Sequence, residues 1–328
     1  MKTINEQIIK TGFIALDESD KNLNLINEIQ KLKKQKNAVI LAHYYVDGLI
    51  QDIADFVGDS LALSQKAAET SADIIVFVGV HFMAETAKIL SPNKKVILPD
   101  LNAGCSLADS CPDKDFEEFI KKHPNHTVIS YVNTTAKVKA LTDIVCTSSN
   151  AVKIVNSIPE NEKIIFGPDR NLGNYISSLT GRKMIIWDGA CHVHSEFSLE
   201  GILEQKKLNP EAIIIAHPEC PKPIVTISEF VGSTSALINY TKKNYAKTFI
   251  VATEPGVIHE MKKVSPDKFF IPAPGEDAEC ACSECEFMKL NSTEKLFTCL
   301  KYEQPEILID EEIRKKAYKP IKRMLDLS

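Results

Sequence analysis

One order of elements occurs three times along the chain, and this repeat restricts the fold more than any other feature. Ala38-Val-Ile-Leu-Ala-His43-Tyr-Tyr45, Thr127-Val-Ile-Ser-Tyr131-Val-Asn133 and Ala212-Ile-Ile-Ile-Ala-His217-Pro-Glu219 each read as an apolar strand ending in polar or aromatic groups. Near-continuous apolar runs of this kind suit strands buried on both faces. Seventeen residues beyond His43, Tyr131 and His217 stand Ser60, Ser148 and Thr234, hydroxyl residues placed as N-caps of helices. A second strand follows in each copy (73–79, 163–167, 248–253), then a helix, then a third strand (95–100, 183–188, 268–272). Just past the third strand comes a cysteine: Cys105, Cys191, and the cluster Cys280, Cys282 and Cys285. Strands alternating with helices predict an α/β fold of three homologous three-layer units with parallel sheets, each of about 85 residues. The expected boundaries are 1–112 for an N-terminal helix plus the first unit, 113–195 and 196–285 for the next two, and 286–328 for helices folding back on them.

Composition narrows the class. The charged fraction of 25% and apolar fraction of 44% are those of an ordinary globular chain, and 328 residues suffice for two or three domains. A net charge of −5 gives no electrostatic footprint for nucleic acid or an anionic membrane. The longest apolar stretch, 74–84, is broken by Gly79 and His81 and falls short of the ~20 residues a membrane-spanning helix needs. The opening MKTINEQIIKTG lacks the apolar core of a secretory signal, so a cytoplasmic, reducing location is expected. Nine cysteines in such a compartment point to metal binding or catalysis rather than disulfides. Leu23, Ile26, Ile29 and Leu32 mark an amphipathic helix ahead of the first repeat.

Ligands of open α/β sheets bind outside the carboxyl ends of the strands, where helix N-termini also point. Packed about a pseudo-threefold axis, three such units turn His43, Tyr131, His217, Ser60, Ser148 and Thr234 toward one cavity suited to a ligand with several anionic groups. The same loops bring Cys105, Cys191 and one thiol of the third cluster there. Three soft ligands suit an iron–sulfur cluster with one open iron, whereas structural zinc sites want four. Cys282-x-x-Cys285 is the local alternative, a zinc or redox pair, but it has no second CxxC to complete a ribbon. Cys111, Cys146, Cys220 and Cys299 read as buried apolar side chains, and His81 with Glu85 as helix packing rather than a metal pair.

Taken in order, several motifs resemble those of the quinolinate synthase family nearly end to end. They are Leu41-Ala-His43-Tyr-Tyr45, Gly58-Asp-Ser60, Gly104-Cys105-Ser-Leu-Ala-Asp-Ser-Cys111, Tyr131-Val-Asn133, Cys146-Thr-Ser148-Ser-Asn-Ala, Cys191-His-Val-His194, His217-Pro-Glu219-Cys220, Gly232-Ser233-Thr234 and Cys285-Glu-Phe-Met288-Lys-Leu-Asn. The resemblance implies three α/β domains around a pseudo-threefold axis and a [4Fe–4S] cluster held by Cys105, Cys191 and Cys285. It further implies condensation of iminoaspartate with dihydroxyacetone phosphate to quinolinate, phosphate and water within NAD biosynthesis, with L-aspartate oxidase as a functional link supplying iminoaspartate. By motif position Tyr45 and Glu219, with His43, fall to catalysis. His43, Ser60, Tyr131, Asn133, Ser148, His194, His217, Ser233 and Thr234 fall to substrate binding. Two departures stand out. Glu279 occupies the place of the first thiol of a CxxCxxC run, which leaves the choice of third ligand open within the cluster; Met288, three residues on as in the family, favours Cys285, and a Cys282–Cys285 disulfide that removes this ligand would be an oxidative switch. Ser195 follows His194 where the family often carries Glu.

The cavity and open metal position by themselves also fit an aconitase-like iron–sulfur dehydratase of a small polycarboxylate, or an iron–sulfur redox sensor. The motif set favours the synthase over the first, and the missing basic face disfavours a gene-regulating sensor.

Overall fold

The computed structural model describes residues 2–276 and 283–328. Cys280 and Cys282, and with them the expected Cys282–Cys285 disulfide, lie outside the described residues.

Three parallel sheets carry the fold, as the repeat predicts, but each has four strands rather than three. In the first, β1 (Ala38–His43), β2 (Phe56–Gly58), β3 (Ile74–Val78) and β4 (Lys95–Ile97) lie in the order β2-β1-β3-β4. The second repeats the order as β6-β5-β7-β8, with β5 (His126–Tyr131), β6 (Ile144–Cys146), β7 (Lys163–Gly167) and β8 (Met184–Ile186). The third does so as β10-β9-β11-β12, with β9 (Ile213–Ala216), β10 (Phe230–Val231), β11 (Thr248–Ala252) and β12 (Phe269–Pro272). The strands missed by periodicity are β2, β6 and β10, each of two or three residues and too short for an alternation to register.

These edge strands explain the constant spacing. His43 pairs with Gly58, Tyr131 with Cys146, and Ala216 with Val231, so the offset between first and edge strand is fifteen residues in every sheet. The segment holding Ser60, Ser148 or Thr234 therefore leaves its edge strand beside the carboxyl end of the first. An acidic residue fixes each register. Asp55 Oδ2 accepts from Ile40 N, Asp143 Oδ2 from Val128 N and Glu229 Oε2 from Ile214 N, each at 2.8 Å. Each acid's own N–H returns a bond to the same residue's carbonyl. The carboxylates occupy a donor that the short edge strand starts too late to reach.

One apolar core joins the first two sheets and the C-terminal helices, while the third sheet has its own clusters on either face. The helix Leu25–Gln35 packs by Ile29 against the helix Thr293–Tyr302 and the first sheet. The last helix, Glu311–Asp326, buries Ala317, Ile321 and Met324 against β6 and the helices His81–Leu90 and Ala136–Lys139, so it spans the first two sheets. Cys111, Cys146, Cys220 and Cys299 are all buried. No helix among the described residues is long and apolar enough to cross a membrane.

Removing one register acid should leave a strand N–H without its partner. Asp143→Ala should lower stability by about 1–3 kcal/mol, read as a fall in urea midpoint at unchanged slope.

Candidate active site

A cavity opens where the carboxyl ends of β1, β5 and β9 come together, the place where open α/β sheets bind ligands. Of the residues expected there, His43, Tyr45, Ser60, Tyr131, Asn133, Ser148, His194, His217, Glu219 and Thr234 line it, as do Cys105, Cys191 and Cys285. Ser233 does not. Its hydroxyl caps the helix Thr234–Lys243, accepting from Ala236 N at 3.3 Å.

The caps differ from expectation. Asp59, not Ser60, caps the helix Ser60–Glu69, accepting from Ala62 N at 3.0 Å, and Ser233, not Thr234, caps the corresponding helix of the third unit. In the second unit the helix begins only at Ala151, and Asn150 turns its side chain back to Thr147 N. A cap must sit one residue before the first helical residue for its oxygen to reach the free N–H groups, and in the first and third copies the seventeen-residue count lands one position too far. The shift releases hydroxyls for the cavity. Thr234 Oγ1 lies 2.9 Å from the Tyr45 hydroxyl and Ser148 Oγ 3.2 Å from His217 Nε2. Because Asp59 already places a carboxylate at the first helix N-terminus, that terminus is a poorer anion site than the sequence implies.

Glu219 is the hub of the polar network. The Tyr131 hydroxyl donates to its Oε1 at 2.6 Å, and the Nδ1 atoms of His194 and His217 lie 3.4 and 3.5 Å from its two oxygens. Burial alone would push this carboxyl up, but the two imidazoles and the Tyr131 hydroxyl outweigh it and hold it down at about 2. Burial pushes His43 down to about 4 and His217 to about 3, so both rings are neutral near pH 7. The Tyr45 hydroxyl sits between Thr234 and Thr253, and burial raises it well above the ordinary tyrosine value. Asn133 Oδ1 is buried and lacks a hydrogen-bond partner among the described residues, an acceptor available to a ligand donor. Ser195 Oγ is likewise buried without a hydrogen-bond partner among the described residues.

Several contributors escaped the sequence reading. Thr253, at the end of β11, bridges Tyr45 and His194, lying 2.8 Å and 2.9 Å from their hydroxyl and Nε2. Glu254, fully buried, pairs with Lys289 at 3.0 Å and accepts from Gly256 N and Cys285 N, while Lys289 also donates to the Tyr45 carbonyl. The Asp59 carboxylate receives Ser149 Oγ and so ties the first unit to the second. The available signal was position, since Thr253 and Glu254 directly follow an apolar strand, at the carboxyl end where site residues gather.

Cys105 and Cys285 are pushed up to about 12 and 11, chiefly by burial, and Cys191 is pushed well above its ordinary value for the same reason. Among the described residues neither Lys nor Arg lines the cavity, although Asp59, Glu219 and Glu254 do. Three half-buried thiols lining a cavity with carboxylates become thiolates once a metal supplies the positive charge. The donor set therefore fits a thiolate-bound metal group. The sulfurs are spread too widely to share one ion: among the described residues only Cys191, His194 and Glu219 bring donor atoms within 4.8 Å of one another.

The model for quinolinate synthetase A protein matches residues 27–326. The chain belongs to the quinolinate synthase family. Quinolinate synthase of Microcystis aeruginosa is 59% identical over 305 residues, covering 93% of this chain and 95% of that protein. The enzymes of that name from Synechocystis sp. and Synechococcus sp. are 59% and 56% identical and cover 93% and 96% of the chain, respectively, and 96% and 99% of their own lengths.

Two outcomes follow from the buried charges. Because His43 and His217 bind a proton less readily folded than unfolded, the stability tied to their neutrality is complete above about 6.5 and drains away as pH falls toward 4 and 3. Glu219 adds a loss between 4.5 and about 2. Urea midpoints should fall across this range, and His43→Asn should flatten the slope between pH 6.5 and 4 by up to roughly 1.4 kcal/mol per unit. Lys289→Met, which strands the Glu254 carboxylate, should cost about 3 kcal/mol or more in the same assay at neutral pH.

Proposed function

We infer that the chain is a quinolinate synthase, a transferase that condenses iminoaspartate with dihydroxyacetone phosphate to give quinolinate, phosphate and two waters. The observation carrying this reading is the single cavity lined by Cys105, Cys191 and Cys285 together with the Tyr131–Glu219–His194 network. Cys105, Cys191 and Cys285 would hold a [4Fe–4S] cluster, whose fourth iron, when the cluster is bound, supplies a Lewis acid for a substrate oxygen or nitrogen.

The remaining chemistry falls to the chain. Neutral His43 and His217 offer ring N–H groups to carboxylate or phosphate oxygens without introducing a counter-charge. Ser60, Ser148 and Thr234 add hydroxyl donors, and Asn133 presents its amide to the substrate. Ser233 acts at one remove, holding the helix that presents Thr234. Glu219, ionised and held between His194, His217 and the Tyr131 hydroxyl, is the base that takes a proton from the substrate. Tyr45, kept protonated by burial between two threonines, is the donor that returns one to a leaving oxygen. Proton loss and dehydration are the steps a condensation to an aromatic ring requires, and a carboxylate and a hydroxyl facing one cavity would serve them. On this reading the chain works in NAD biosynthesis in the cytoplasm, with an L-aspartate oxidase supplying iminoaspartate.

Protein purified without oxygen should be brown and should form quinolinate from dihydroxyacetone phosphate and enzymatically generated iminoaspartate, followed by chromatography. Cys105→Ser, Cys191→Ser and Cys285→Ser should each abolish the chromophore, whereas Cys299→Ser should keep it. Glu219→Gln should retain the chromophore while lowering kcat about 10²–10⁴-fold. An intact cluster without quinolinate would sink the reading.

A further inference from the structure

We propose that Cys191, His194 and Glu219 form a second metal site, specific for a single divalent ion of zinc's borderline softness, which occupies the metal-free chain and excludes the cluster. These three side chains are the group among the described residues whose donor atoms all lie within 4.8 Å of one another. His194 Nδ1 stands 3.4 Å from Cys191 Sγ and 3.4 Å from Glu219 Oε2. Zinc bonds of about 2.0–2.3 Å in a tetrahedron imply ligand–ligand edges of about 3.3–3.8 Å; the two edges at His194 Nδ1 match this, and the Cys191–Glu219 edge, within 4.8 Å, would close onto the ion by a side-chain shift. One S, one N and one O donor form a set that zinc accepts, with a fourth position open to the cavity.

The outer contacts of a metal site are also in place. A histidine that ligates through one nitrogen normally donates its other N–H to a fixed acceptor, and His194 Nε2 lies 2.9 Å from Thr253 Oγ1. Glu219 keeps its second oxygen, Oε1, on the Tyr131 hydroxyl at 2.6 Å. The Cys191 N–H points to Asp169 Oδ2 at 3.4 Å. His194 and Glu219 are both nearly inaccessible, so the ion would be held on preformed, oriented ligands. Binding forms one metal–sulfur, one metal–nitrogen and one metal–oxygen bond, and the Cys191 thiol proton passes to solvent.

Cys191 cannot serve both metals. A zinc ion seated on it would withhold one of the three thiols assigned to the cluster, and would bind Glu219 and His194 at the same time. The metal-free protein is therefore open to capture by the wrong ion, and cluster loading must precede or displace it. The single-ion site stands on geometry alone; only the competition rests on the cluster reading.

Cobalt(II) is the probe, added to full-length, chelator-stripped protein carrying Cys280→Ser and Cys282→Ser, so that thiols outside the described residues cannot contribute to the spectrum. One equivalent should bind, with tetrahedral visible bands and a near-ultraviolet sulfur-to-metal transition of one thiolate's intensity, and Zn²⁺ should bleach both. His194→Ala should weaken binding at least tenfold, and Thr253→Val about 10-fold. Cys105→Ser and Cys285→Ser should leave the spectrum unchanged. Loss of binding in either, or octahedral bands in the parent, would overturn the site, as would retention in His194→Ala. Circular dichroism of each variant separates misfolding from ligand loss. Prebound Zn²⁺ should slow iron uptake during anaerobic cluster reconstitution at least tenfold. Unchanged uptake alongside an intact cobalt spectrum would refute the competition, and with it Cys191 as a shared ligand, while leaving the ion site.

Discussion

Pairing of a two- or three-residue edge strand with the carboxyl end of a longer one is the constraint on which the rest of this molecule depends. Because that register recurs with the same offset in all three sheets, each unit carries a hydroxyl-bearing segment to the end of its first strand. A slip of one residue would reverse every side chain of the strand and turn these groups into the core. The short pairings have few backbone bonds of their own, and the acids at Asp55, Asp143 and Glu229 supply the missing acceptor.

Within that frame, charge is concentrated in one place and balanced there. Glu219 is buried and ionised, which is tolerable only because Tyr131, His194 and His217 surround it from two units. Its partners are in turn restrained: His194 by Thr253, Thr253 by Tyr45, and Tyr45 by Thr234. A network with every member partnered holds its geometry before substrate arrives, which is what a site acting by orientation and proton transfer needs. Glu254 performs the same service at the edge, joining Lys289, the Cys285 backbone and, through Lys289, Tyr45.

The thiols are positioned by the same logic and left electrically incomplete. Burial keeps them protonated, and the cavity offers carboxylates rather than ammonium or guanidinium groups. Such a lining is unfavourable for an anion in isolation and favourable once a multivalent cation is present.

Much of this was legible from residues alone. Apolar runs bounded by turn residues locate nine of the twelve strands, because a strand buried on both faces needs four or more consecutive apolar side chains to announce itself. The groups at strand ends were legible for the same reason: parallel topology sends the carboxyl ends of each sheet to one side, so His43, Tyr131, His217, Cys105 and Cys191 could be assigned to one cavity by counting once the three units face one another, whereas Cys285 was picked from its cluster by resemblance. Edge strands of two or three residues, the true caps Asp59 and Ser233, and the roles of Thr253 and Glu254 were not. Thr253 meets Tyr45 across 208 positions of chain. Local pattern determines which segments become strands and where their polar ends lie, since that depends on side chains a few residues apart. Only tertiary packing decides which carboxylate is ionised, which hydroxyl is free and which donors lie close enough to share an ion, because burial and partners come from elements far apart in the chain.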